Sequence, residues 1–570
     1  MSIARAHSVF VLCIFVAVSS SHSSEDNPTV TSPAGSFIGS LLTSRRGRTI
    51  YSFRGIRYAE SPEGELRFKP PVPIDQYPQP VDAREDGPAC PQSGTFYNMS
   101  EDCLRLNVYS PRLPVSTPTE PLPVLVYFHP GGFYSSSGLS IVYGPQYLLD
   151  RDIVLVTLNY RLATLGLLAT GDEHAPGNNA LKDQVVALRW VQRNIRAFGG
   201  NPDSVTIWGY SAGSTSVALH MVSPMSRGLF HRAISMSSSP ISQRKTPLHQ
   251  LDMAKKQAEL VGCPTDSTRA IVECLRTKSW QDLAKSYSGF SEFGWDPILR
   301  WSPVVEPDLG RPRFLPATPE QLISEGRVND VPFLVGTNQL EFIKIAFMVL
   351  SNDTLRETMH KEWTRIAPIS FKLNRNDPRN PEIASELRRA YIGDRPFTYN
   401  NDTAFALGRL YADGITKFGM HRLSRVMSET LSSPVYYYQF NYTGTSSYAY
   451  YPGTKTPFGA VHHDELIYLF HISALYPFIG LDSPHSKVVD LMTTMWTNFV
   501  IRGDPNPSGN QPALKGLHWP KLEPDTRKYL QINQHKFEVR ARMNEDRFAL
   551  WERLFPLEIT PRRVRDCDIE

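Results

Sequence analysis

The sequence predicts an α/β fold: a large, mostly parallel central sheet with helices on both faces and helical insertions. Three observations carry the prediction. Val124-Leu-Val-Tyr-Phe-His129 and Ile153-Val-Leu-Val-Thr-Leu-Asn-Tyr160 are continuous apolar runs, and strands apolar on both faces belong in a sheet covered on each side. Ala180 to Phe198 carries apolar residues at helical spacing (Leu181, Val185, Leu188, Val191, Ile195) and stops at Gly199-Gly200. Val205 to Trp208, β-branched and aromatic, leads through Gly209-Tyr-Ser-Ala-Gly213 into small residues and Val217-Ala-Leu219, which reads as strand, tight turn and helix in succession.

Taken in order, the chain opens with Arg5 and His7, an apolar run from Val9 to Val18, a Ser-rich tail and the acidic Glu25-Asp26. That pattern is a secretory leader over residues 1–23. The run is short for a bilayer span, and an amphipathic anchor is the lesser alternative. The next hundred residues are rich in Gly, Pro and polar turns, with short strands such as Thr49 to Phe53. Beyond the elbow-like stretch, further buried strands are expected at Arg232 to Met236, Pro332 to Gly336 and Val435 to Phe440. Asp353 to Met427 reads as mostly helical. A last strand at Lys528 to Asn533 precedes a short helix around Arg547 to Leu554. The length, 570 residues, could hold several domains, but no repeat or linker divides it, so residues 24–560 are read as one domain and 561–570 as a tail.

Composition narrows the function. Hydrophobic residues at 41% and charged residues at 20% describe an ordinary globular protein. A net charge of +4 without any long basic block gives no footprint for nucleic acid or an anionic membrane surface. The tail shows neither an ER-retention signal nor a GPI-type end, so a soluble secreted protein is expected. Besides Cys13 in the leader, Cys90 and Cys103 form one close pair and Cys263 and Cys274 another, while Cys567 stands apart. Local disulfides in an oxidising compartment suit such pairs better than metal sites, since neither has C-x-x-C spacing. N-x-S/T sequons at Asn98, Asn352, Asn401 and Asn441 are candidate glycosylation sites on surface loops.

The chemistry centres on Ser211. In G-x-S-x-G the serine sits on a strained strand-to-helix turn, so the residues two before and two after it must be small. The turn lifts the hydroxyl from the sheet and sets the backbone N–H of Ala212, at the helix N-terminus, toward an oxygen that becomes negative during acyl transfer. A bare G-x-S-x-G arises by chance ~0.2 times in a chain of this length; the strand before and helix after make this one informative. Such a nucleophile needs a base, a group to orient it, and oxyanion donors. His129-Pro-Gly131-Gly132-Phe133, just after a central strand, offers bare backbone N–H groups, although an ordinary glycine turn would read the same. Number alone does not pick the base among 15 histidines; the best context is Phe458-Gly-Ala-Val-His462-His463-Asp-Glu-Leu466, a Gly-led loop ahead of an apolar helix.

Several segments occur together in family order: Glu101-Asp-Cys-Leu-Arg-Leu-Asn-Val-Tyr109, His129 to Phe133, Asn159-Tyr-Arg-Leu162, Asp183-Gln184, Trp190-Val191, Asn194-Ile195, Phe198-Gly-Gly-Asn-Pro202 and Gly209 to Gly213. Over nearly all of its length the chain resembles the type-B carboxylesterases of the cholinesterase-like α/β-hydrolase family, in the manner of insect venom carboxylesterases and juvenile hormone esterases. The resemblance implies Ser211 as nucleophile, His462 rather than His463 as base, and Glu341 as the acid, five residues after Gly336. It implies oxyanion donors at Gly131, Gly132 and Ala212, and disulfides Cys90–Cys103 and Cys263–Cys274. The implied reaction is hydrolysis of a small lipophilic carboxylic ester through an acyl-enzyme, without a metal or organic cofactor.

Four departures stand out. Tyr210 replaces the usual Glu before the serine. Phe342 replaces the Gly that usually follows the acid, a bulky group placed to shape the acyl or alcohol pocket. Ser237-Ser-Ser-Pro240 stands where Ser-Gly-Ser-Pro is common. The loop between Cys90 and Cys103 has no Trp, so the cation-binding aromatic of cholinesterases is missing there and acetylcholine is not the expected substrate. Two competing readings remain: a dedicated hormone or pheromone esterase, and a non-catalytic binding protein, which would generally lack a triad member.

Overall fold

A computed structural model describes residues 27–114, 120–534, 537–557 and 559. The proposed leader, the tail and Cys567 lie outside the described residues. In chain order the strands begin β1 (Thr29–Ser32), β2 (Gly35–Ile38), β3 (Ser40–Thr43), β4 (Thr49–Arg57), β5 (Val81–Asp82), β6 (Arg105–Ser110) and β7 (Leu122–Phe128). They continue as β8 (Val154–Leu158), β9 (Gly200–Tyr210), β10 (Arg232–Met236), β11 (Phe333–Asn338), β12 (Val435–Phe440), β13 (Lys528–Ile532) and β14 (Phe537–Ala541). Eleven of them form one sheet in the order β14-β13-β12-β11-β10-β9-β7-β8-β6-β4-β3, and β1-β2-β5 form a small separate one. The run from β13 to β8 is parallel throughout, flanked by antiparallel strands at both ends.

Alternation along the strands divides the core. Val124, Val126 and Phe128 of β7 pack in one cluster with Val185, Leu188 and Val217, from the helices Asn179–Asn194 and Ala212–Val222. The intervening Leu125 and Tyr127 belong to the opposite cluster, with Met492, Met495 and Trp496 of the helix Ser486–Arg502. Both sets are fully buried, each such side chain contributing ~1.5–3 kcal/mol on leaving water. This is why the strands read as unbroken apolar runs. A third cluster holds the helical insertion, from Ile343 to Ile415, against Phe458, Val461 and Trp551.

Element bounds shifted in physical ways. The helix predicted to Phe198 turns into 3-10 geometry at Ile195 and ends at Gly199, whose φ of 84° is the left-handed cap that glycine supplies. The apolar helix expected after His463 is instead a 3-10 turn, Asp464–Tyr468. The Asp464 carboxylate accepts the Val461 and Tyr448 backbone N–H groups, which tightens the loop there. Cys90–Cys103 and Cys263–Cys274 are disulfides.

Candidate active site

The residues expected to form the triad and the oxyanion loop fall beyond the carboxyl ends of parallel strands, the edge where open α/β sheets gather ligands. Gly131 and Gly132 follow β7, Ser211 follows β9, Ser237 follows β10, Glu341 follows β11, and His462 lies on the loop that follows β12.

Ser211 has φ 53° and ψ −115°, a sparsely populated conformation for a side-chain-bearing residue. Its surroundings enforce it. A Cβ on Gly209 would lie 2.1 Å from the carbonyl oxygen of Gly213, and one on Gly213 would lie 2.0 Å from that of Phe128. The Ser211 N–H donates to the Met236 carbonyl at 2.8 Å, tying the turn to β10. The helix Ala212–Val222 starts immediately afterwards, leaving the Ala212 N–H without an intrahelical acceptor. Gly131 and Gly132 hold φ of 108° and 60°, and neither N–H donates a hydrogen bond among the described residues.

The structure brings the three candidates together. His462 Nε2 lies 3.1 Å from Ser211 Oγ, and His462 Nδ1 lies 2.5 Å from Glu341 Oε2. Glu341 is fully buried. Its other oxygen accepts the Ser237 hydroxyl at 2.6 Å and the Asn338 N–H at 2.8 Å. His463 is not part of this line: its ring is buried, burial and the neighbouring His462 push it well below the ordinary histidine range, and its Nε2 has no partner.

Three features escaped sequence reasoning. Ser237 stood in a flagged motif, but only the fold sets its hydroxyl on Glu341. The Phe342 ring packs on the His462 imidazole, with centroids 4.3 Å apart and planes at 30°. Glu465, within the flagged histidine loop, accepts hydroxyls from Tyr210 at 3.3 Å and Tyr438 at 3.1 Å. Burial, then the nearby Glu341, pushes the Glu465 carboxyl well above the carboxylate range. Tyr210 in turn accepts the His463 backbone N–H at 2.9 Å and the Asn338 amide at 3.3 Å. Tyr210 thus links the elbow to the histidine loop. His129, at the root of the glycine loop, is held near pKa 4 by burial and stacks on Tyr160 with centroids 4.2 Å apart.

A pocket of about 650 Å³ including its mouth opens beyond Ala212, with Phe133, Leu219, Leu299 and Trp301 among its walls. Among the described residues no three His, Cys, Asp or Glu side chains converge as a metal site. No helix among them is long and apolar enough to cross a membrane.

This arrangement of sheet, elbow and converging Ser, His and Glu defines an α/β-hydrolase. Residues 26–551 match the model of the carboxylesterase family, and the chain belongs to that family and is a carboxylic ester hydrolase. Esterase E4 of Myzus persicae is 35% identical over 545 residues, spanning 93% of this chain and 96% of that protein. Juvenile hormone esterase of Tribolium castaneum is 34% identical over 571 residues, spanning 94% and 95%. The crystal structure of juvenile hormone esterase from Manduca sexta with OTFP covalently attached superposes with a TM-score of 0.79 at 27% identity, covering 93% of this chain and 99% of that one.

Proposed function

We propose that the chain is a secreted serine esterase in which Ser211 is the nucleophile, His462 the general base and acid, and Glu341 the group that orients the imidazole. The observation that carries this reading is the unbroken line from Ser211 Oγ through His462 to Glu341, at 3.1 and 2.5 Å. His462 Nε2 takes the Ser211 proton as Oγ attacks the ester carbonyl. The N–H groups of Gly131, Gly132 and Ala212 hold the resulting oxyanion. The imidazolium passes its proton to the departing alcohol oxygen, leaving an acyl-Ser211. Water, deprotonated by His462, then attacks the acyl carbonyl, and the acid leaves with Ser211 restored. The two disulfides and the leader-like first residues support export to an oxidising compartment.

Turnover of a short-chain nitrophenyl ester by the secreted protein tests the reading. The expected result is hydrolysis blocked one-to-one by an organophosphate, with the adduct on Ser211. Ester turnover undiminished in pure Ser211→Ala protein would overturn the assignment. Similarity to two juvenile hormone esterases favours a second reading, a dedicated hormone esterase. A panel of esters separates the two, because only a dedicated enzyme would confine its turnover to one ester.

A further inference from the structure

The pocket beyond Ala212 is not uniformly apolar. Arg244 and Lys372 stand in its wall, together with Lys245. Arg244 and Lys372 also line the adjoining cleft that carries Arg375, Arg300 and Lys256. Both are half-buried, and neither makes a hydrogen bond or ion pair among the described residues. Neighbouring charge does not favour either: burial and then Arg244 lower Lys372 to about 8, and burial and then Arg375 lower Arg244. The acids nearby do not relieve them. Glu292 is engaged with Arg375 at 2.9 Å, Asp296 with Ser370 and Tyr411, and Asp252 is exposed.

Two buried donors of the same wall also lack partners. Ser242 is 7% exposed and Trp301 1%, and neither Ser242 Oγ nor Trp301 Nε1 has a hydrogen-bond partner. Unpaired cations and unmet donors taken out of water cost free energy. Arg244 and Lys372, two unpaired cations in the wall of one pocket, form a recognition surface for negative charge.

We propose that this pocket is a subsite for an anionic substituent, so that the preferred substrates are acidic esters whose acyl or alcohol part ends in a group such as a carboxylate. The inference rests on the esterase reading of Ser211 and refines it: the lining reaches Ala212 and Phe133, the residues directly after the nucleophile and the glycine pair. Phe133, Leu219 and Leu299 flank the carbon chain, and Arg244 and Lys372 meet its charged end.

The test compares nitrophenyl hemiesters of dicarboxylic acids, from succinate to suberate, with neutral nitrophenyl esters of equal length. Acetates of ω-hydroxy acids probe the alcohol side. One of the acidic series is expected to exceed its neutral counterparts in kcat/KM by tenfold or more, with the preference shrinking as salt is raised. Lys372→Met and Arg244→Met should each cost about tenfold on that series and leave neutral esters within twofold. Lys372→Glu should reverse the preference. Neutral esters turned over with no acidic preference, or a preference untouched in both Met variants, would overturn the subsite and leave the esterase reading standing. If neither kind is turned over, the esterase reading falls, and calorimetry of nitrophenyl hemiglutarate with Ser211→Ala protein decides the subsite. Binding weakened about tenfold by adding Lys372→Met upholds it; no binding ends it.

Discussion

At the floor of the site, Ser211 stands on a turn whose neighbouring glycines admit no side chain, with backbone oxygens 2.1 and 2.0 Å from where their Cβ atoms would be. The wall of the pocket is made differently. Ser238 to Pro247, Leu299 to Pro303 and Lys372 come from segments outside the sheet, and two of their cations have no partner. The floor is over-determined by backbone packing on seven parallel strands, which leaves the Ser211 hydroxyl and the backbone N–H groups around it little freedom. The wall is under-determined, and its side chains remain available to a ligand. Chemistry is set where the sheet leaves no freedom, and selectivity where it leaves some.

The sharpest way to break this contrast is Gly213→Ala. The new methyl would meet the Phe128 carbonyl oxygen, which belongs to the end of β7 and cannot swing away. The expected outcome is loss of ester turnover by at least ~10³-fold, or failure to fold, read by active-site titration beside thermal unfolding. Near-normal turnover would mean the elbow is softer than its contacts imply.

Glu341→Gln comes next and leaves the backbone alone. Its carbonyl oxygen can still accept from Ser237 and Asn338. Its amide, in place of Oε2, would donate to His462 Nδ1 and leave the ring proton on Nε2, where it blocks transfer from Ser211. A fall of ~10³- to 10⁴-fold in kcat is expected, as for a wrong-tautomer triad, with little change in unfolding temperature. A loss below tenfold would remove Glu341 from the role proposed for it.

Acid should reach the floor before the wall. His220, on the helix that Ser211 opens, is buried between the Ser226 hydroxyl and the Gln184 side-chain oxygen, and burial lowers it to about 3. His129 is lowered to about 4. In the unfolded chain both titrate near the ordinary 6.5, so below that pH the unfolded state binds more protons and stability falls as pH falls. Over two to three pH units this amounts to ~3 kcal/mol for each group, at ~1.4 kcal/mol per unit. Urea unfolding between pH 7 and pH 4 should show the slope. His220→Gln should be less stable at pH 7 yet lose less on acidification; an unchanged slope would show that His220 does not carry it.

Much of the floor was legible in the chain because its constraints are local. A strand, two small residues around a serine and a helix must be neighbours in sequence, so Gly209 to Leu219 announces itself. The glycine pair after β7 reads in the same way. Local context singled out the His462-His463 loop, but the choice of His462 and the identity of Glu341 came only through family resemblance, since the sheet rather than the sequence makes them neighbours. Ser237 and Glu465 lay in stretches the sequence singled out, but nothing local paired them with Glu341 and Tyr210, and Arg244 and Lys372 in one pocket wall had no local signal at all. Each depends on loops whose direction only the assembled sheet sets. The 3-10 turn after His463 was misread as a helix because the side-chain bonds of Asp464, which tighten it, are not visible in hydrophobic periodicity.

Phe342 lies on the border between floor and wall, and it offers the finest test. It holds φ 38°, a left-handed conformation that costs a non-glycine residue ~1 kcal/mol or more. It recovers a similar ~0.5–1.5 kcal/mol from its ring against His462. Phe342→Gly removes both and also the ring's partial packing on the third core cluster, so stability should fall by ~1–3 kcal/mol. Turnover separates the two regions more clearly. The imidazole would still be held at Nδ1 by Glu341 at 2.5 Å and flanked by His463 at 4.3 Å and Tyr210 at 5.1 Å between ring centroids. The freedom gained is therefore small, and kcat on a short nitrophenyl ester should fall only ~threefold, with KM unchanged. A fall as deep as that of Glu341→Gln would make the aromatic ring, and not the carboxylate, the main restraint on the base. A changed KM for bulky esters with kcat intact would assign Phe342 to the wall, and the border would then run between Glu341 and the residue after it.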